Sequence, residues 1–79
     1  MNRVLLKFVW KNGQERLYLL SPTAETSEEN LRGTVASIMA LFASGDSLIH
    51  VDYEGRMFGI VGKDIISVEA SAVDENYRI

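Results

Sequence analysis

Ser27-Glu28-Glu29-Asn30-Leu31-Arg32-Gly33-Thr34-Val35-Ala36-Ser37-Ile38-Met39-Ala40-Leu41-Phe42-Ala43-Ser44 is the segment of this chain with a clear helical period. Leu31, Val35, Ile38, Met39 and Phe42 recur three and four residues apart, which lines them along one side of a helix as its core stripe. Just upstream, Thr26 and Glu29 fit a capping box with Thr26 as N-cap, and Glu28 and Glu29 suit the positive end of the helix dipole. Gly45 follows as the residue that closes the helix, because it takes a left-handed conformation without steric cost. Such a helix buries only one side, so the remaining chain must supply a sheet for it to lie on.

Residues 3–20 read as a β-hairpin, with Asn12-Gly13 between two alternating apolar runs as a two-residue type I′ turn. That turn sets Trp10 opposite Glu15, Phe8 opposite Leu17 and Leu6 opposite Leu19. Val4, Leu6, Phe8, Trp10, Leu17 and Leu19 then share the core face, and Leu5, Lys7, Val9, Arg16, Tyr18 and Leu20 the outer one. Ser21-Pro22-Thr23 ends the hairpin, since proline donates nothing to a ladder.

The chain after the helix reads as a meander of three strands. Residues 47–53 and 56–61 flank Glu54-Gly55 as a second two-residue turn, which places Ile49, Val51, Tyr53, Phe58 and Ile60 inward and Leu48, Met57, Val61 and Ile65 outward. Residues 65–72 return beside the second of these, with Ile66 opposite Ile60 and Val68 opposite Phe58. Residues 74–79 are expected to be a flexible tail. The fold expected is α+β, in the order ββαβββ, with one helix on one face of an antiparallel sheet of about five strands in a single domain, 1–79.

With 79 residues the core is small, and chains of this size often gain burial from a second subunit. No cysteine is present, which excludes disulfides, thiolate metal sites and a cysteine nucleophile. One histidine, His50, leaves no cluster for zinc, and no cofactor or metal site is expected. No run is long enough to cross a bilayer, and Lys7 breaks the first apolar run too early for a secretory signal, so a cytoplasmic location is expected. The net charge of −3 is uneven: residues 1–20 hold four basic and one acidic side chain, the rest four basic and ten acidic. Overall acidity disfavours a duplex-DNA binder.

From Gly33 to Gly45 no residue is charged, and Gly33, Ser37, Ala40 and Ser44 fall on one line opposite the core stripe, flanked by Ala36 and Leu41. A surface of small neutral side chains lets another backbone approach, so Gly33, Ala36, Ser37, Ala40, Leu41 and Ser44 are candidate contacts to a second copy or another protein. Lys7, Arg16 and Tyr18 on the hairpin's outer face form a candidate basic and aromatic patch of the kind that binds single-stranded nucleic acid. His50 and Asp52 share a strand face, with Ser67 continuing the row two strands away. Adjacent strands lie about 4.8 Å apart, so Ser67 stands too far from His50 to form a nucleophile–base pair. Gly62-Lys63 is followed by Asp64 and a strand, unlike a phosphate loop, and close chain crossings account better for Gly55, Gly59 and Gly62. The run 55–59 with 62–65 resembles the strand pattern of Sm-like barrel proteins; that family's second motif does not follow, and no residue role is taken from the resemblance.

These readings point to a small non-enzymatic protein-interaction or regulatory module, homodimeric or docking on another protein, with the outer sheet face at Leu48, Met57, Val61 and Ile65 as the competitor to the helix face for its interface. Acidic accessory proteins that modulate a larger bacterial or host protein have this composition. A nucleic-acid module using the hairpin's basic face and a small enzyme at His50 are the rival classes. No small-molecule substrate is evident.

Overall fold

A computed structural model describes residues 2–20 and 26–79. Its elements follow the expected order: β1 (Asn2–Trp10), β2 (Glu15–Leu19), α1 (Glu28–Ala43), β3 (Ser47–Val51), β4 (Met57–Val61) and β5 (Ile65–Asp74). The chain is α+β, one helix against five antiparallel strands, and the strands divide into a three-stranded sheet β2-β1-β5 and a two-stranded sheet β3-β4. The expected end of the first hairpin at Ser21-Pro22-Thr23 lies outside the described residues.

Both hairpins turn through three residues where two were expected. Trp10 N–H donates to Gln14 O at 2.8 Å and Gly13 N–H to Trp10 O at 2.8 Å, so Lys11-Asn12-Gly13 is the loop, with only Gly13 at positive φ, +89°. This is the three-residue hairpin that ends on a left-handed glycine. The register slips by one from the expected pairing: Leu6 faces Tyr18, Lys7 faces Leu17 and Phe8 faces Arg16. A one-residue slip exchanges the faces of one strand relative to the other. Tyr18 and Leu20 therefore join Leu6 and Phe8 inside, while Leu17 turns out. Leu19 is buried as expected, but on the opposite side, where Tyr53 N–H donates to its carbonyl at 3.0 Å.

The helix starts one residue later than the capping box implied. Ser27 is the N-cap, its Oγ accepting from Asn30 N–H at 3.2 Å, and Thr26 Oγ1 instead accepts from Asn2 Nδ2 at 3.1 Å. At the other end Gly45 N–H donates to Phe42 O and Asp46 N–H to Leu41 O, with Gly45 at φ +82°, a Schellman closure. The inward stripe is rotated slightly from the expected one. Ile38 is buried, Leu31, Thr34, Val35, Leu41 and Phe42 are half-buried, and Met39 is exposed.

The core gathers around Phe8, which is fully buried on β1. Its ring meets Trp10, Tyr18 and Phe42 at centroid distances of 6.4, 6.0 and 6.3 Å, and Tyr18 stacks on Phe58 at 3.8 Å. Offset and edge contacts of this kind link β1, β2, α1 and β4 through one set of rings. Leu6, Ile38 and Ile60 complete the buried centre, with Val68 and Ala70 of β5 packed against it.

The expected pairing of β5 with β4 does not form; β5 pairs with β1 along its whole length, Leu6 opposite Ala70 and Phe8 opposite Val68. Gly62 explains the parting of the strands. A Cβ there would lie 2.4 Å from Cγ of Phe42, so the chain crosses the helix's aromatic ring at a point where only glycine fits. It then turns, Ile65 N–H donating to Gly62 O at 3.2 Å, and Asp64 O accepts from Lys11 N–H at 2.7 Å to dock the start of β5 beside β1. A register shift between Val9 and Trp10 leaves Ile66 as the unmatched residue on β5, and it remains exposed. Beyond β5, Tyr77 N–H donates to Asp74 O and Asn76 N–H to Asp74 Oδ1, so the end expected to be a loose tail begins with a hydrogen-bonded turn.

Candidate functional site

The second hairpin repeats the turn chemistry of the first. Asp52 N–H donates to Arg56 O at 2.8 Å and Gly55 N–H to Asp52 O at 3.1 Å, with Gly55 at φ +84°, so Tyr53-Glu54-Gly55 is the loop. The Asp52 carboxylate holds it in shape. Its Oδ1 accepts from the N–H groups of Glu54 and Arg56, both at 2.9 Å, and its Oδ2 accepts from Arg56 Nε at 3.1 Å. Burial alone would raise the pKa of this carboxyl; the two backbone N–H groups and the Arg56 guanidinium outweigh it and hold the group below its ordinary value.

The three-residue loop sets the register Leu48↔Ile60, Ile49↔Gly59, His50↔Phe58 and Val51↔Met57, again one residue from the expected pairing. Leu48, Phe58 and Ile60 face the core. The other face carries Ser47, Ile49, Val51, Met57, Gly59 and Val61, so Ile49 and Val51, expected inside, point out, and Leu48, expected outside, points in. Ile49, Val51, Met57 and Val61 are between 44% and 73% exposed, and no member of this face is charged. Four large apolar side chains on one uncharged sheet face form a contiguous patch of the kind that marks an interaction surface.

The residues singled out from the sequence fall in several places. Gly33, Ala36, Ser37, Ala40 and Ser44 on the helix are exposed, and Leu41 is half-buried. Gly33 and Ser37 also border a groove floored by Leu6, Ile38 and Leu48, with Leu20 and His50 at its margin. Lys7, Arg16 and Tyr18 are not brought to one face. Lys7 points outward with its Nζ 2.7 Å from Glu15 and 3.8 Å from Glu69, and the hydrogen bond and charge of Glu15 raise its pKa. Arg16 and Tyr18 lie across from Phe8 and Leu6, and the Tyr18 ring is covered by Phe58. His50 is exposed and meets Phe58 edge-on at 6.2 Å, while Asp52 is committed to its own loop. Ser67 sits on β5, in the other sheet, opposite Val9.

A second apolar groove lies just past the end of β4. Met39 and Ile66, both exposed, line a groove with Phe42, Ile65 and Gly62, the residue that follows Val61. No helix is long and apolar enough to cross a membrane among the described residues. No family model, curated protein or solved structure matches this chain.

Proposed function

We propose that this chain is a non-enzymatic protein-interaction module of the cytoplasm that docks through the outer face of the β3–β4 hairpin. The observation that carries the reading is the set Ile49, Val51, Met57 and Val61, large apolar side chains left exposed on a face without a charge. Leaving them in water forgoes on the order of 1 kcal/mol or more for each side chain that a partner could bury. The helix face at Ala36, Ser37 and Ala40 is the competing surface; its small side chains offer less apolar area, and the sheet face is preferred on that ground.

A photo-reactive side chain placed in turn at Met57, Ala40 and Arg32 tests the reading in cells that make the protein. The expected result is a covalent protein adduct from Met57 and none from Arg32, an exposed helix position paired with Glu28. An adduct from Ala40 and not from Met57 moves docking to the helix. No adduct from either position removes the interaction reading.

A further inference from the structure

We propose that the occupant of this face is a second copy of the chain, packed face to face so that Ile49 of each copy seats over Gly59 of the other. The inference rests on the reading of the β3–β4 face as a docking surface and adds the partner and the geometry.

The register itself is self-complementary. Ile49 lies opposite Gly59, Val51 opposite Met57 and Ser47 opposite Val61. A two-fold axis parallel to the strands, midway between β3 and β4 and between the two faces, lays β3 of one copy over β4 of the other at the same height. Each row then meets its own mirror order: isoleucine over glycine, valine over methionine, serine over valine. Isologous contacts require this pattern, residue i on j and j on i. Stacked sheets lie about 10 Å apart, a gap that a projecting isoleucine fills best where the facing position is bare. Gly59 is such a position, since a Cβ built there meets nothing closer than Leu48 O at 3.9 Å.

Charge agrees. The chain carries a net charge of −3, but none of it is on this face, so two copies meet there without opposing like charges. The four exposed side chains offer on the order of 400 Å² per copy, about half of the roughly 800 Å² per partner of a standard interface. An interface below the standard size is a weak one, so the dimer is expected to form and dissociate with protein concentration.

Sedimentation equilibrium of the full chain between about 1 μM and 1 mM, a range across which a weak dimer dissociates, tests the proposal. The native protein is expected to move from 8.8 kDa to twice that mass. Ile49→Glu and Gly59→Lys are each expected to be monomeric where the native chain is dimeric, and an equimolar mixture of the two to regain the dimer, because the introduced carboxylate then faces the introduced ammonium. Circular dichroism of each variant checks that the fold is kept; Val61→Lys, at another exposed position of the face, replaces whichever variant loses it, read as loss of the dimer. A native monomer throughout overturns the second copy, and an adduct from Met57 to a different protein then leaves the docking face standing. A native dimer unaffected by the variants places the interface elsewhere and overturns both readings. Two monomeric variants that fail to combine overturn the pairing of Ile49 with Gly59.

Discussion

Gly62 shows how one residue without a side chain settles the path of the whole second half. The chain must pass within van der Waals contact of Phe42 to leave β4 and reach the edge of β1, and at 2.4 Å a methyl group would overlap the Phe42 ring carbon nearest the backbone. That atom cannot swing away as the end of a long side chain could. Gly62→Ala is therefore expected to destabilise the fold by about 1–3 kcal/mol, the usual cost of overpacking. For a domain of this size that is a fall in Tm of roughly 4–8 °C per kcal/mol, read by thermal denaturation. Gly59→Ala, melted at a concentration where the chain is monomeric, is the control, since within one chain its Cβ meets only ordinary contact; an equal loss in both variants would show that the cost lies in glycine replacement and not in the crossing. The sequence singled out this glycine as a turn or close crossing, and nothing in it named Phe42 as the ring being crossed.

The hairpins are the elements where sequence and structure part, and they part for one physical reason. Asn12-Gly13 and Glu54-Gly55 both signal a turn, but only Gly13 and Gly55 take positive φ, and each is the last residue of a three-residue loop. Reading them as two-residue turns shifts both registers by one, which exchanges Tyr18 with Leu17 and puts Ile49 and Val51 on the wrong side. Half of the apolar outer face was out of sight in the sequence for that reason: Met57 and Val61 were already expected outward, Ile49 and Val51 were not. Strand positions, the helix and its Gly45 closure were legible because they depend on composition over many residues; register depends on one. At the second loop Asp52 is the residue that commits the geometry, and it does so as a carboxylate. Its folded pKa is depressed, so the stabilisation is fully present above the unfolded value near 3.8 and is lost as pH falls through the lower folded value. Asp52→Asn is expected to lower Tm at neutral pH and to flatten the loss of stability in acid, so that native and variant melts converge below the depressed folded value. A difference in Tm that persists undiminished there would mean that the carboxylate charge is not what holds the loop.

At the scale of the whole molecule two small sheets and one helix have, among the described residues, no continuous hydrogen-bonded ladder joining them, since β3 and β4 pair there only with each other. Beside the single backbone bond from Tyr53 N–H to Leu19 O, side-chain packing supplies the join, and Phe8 is its centre: one ring touches the helix through Phe42, its own sheet through Trp10 and Tyr18, and through Tyr18 reaches Phe58 on the other sheet. A chain of 79 residues has a total stability of roughly 4–12 kcal/mol at ordinary values per residue. Phe8→Ala removes about 3–5 kcal/mol, a loss of the same order as the whole. The two-stranded sheet should suffer first, because an isolated hairpin of two five-residue strands is marginal in water without a surface to lie on. Phe8→Leu, which keeps most of the volume, should retain the native circular dichroism with a lowered Tm, whereas Phe8→Ala should expose the β3 and β4 amides to hydrogen exchange ahead of those of β1 and β5. Uniform exchange across both sheets in Phe8→Ala would show instead that the molecule unfolds as one cooperative unit. The outer face of β3–β4 would then depend on the same core that holds β1 and β5 together, and a partner binding there would stabilise every strand at once.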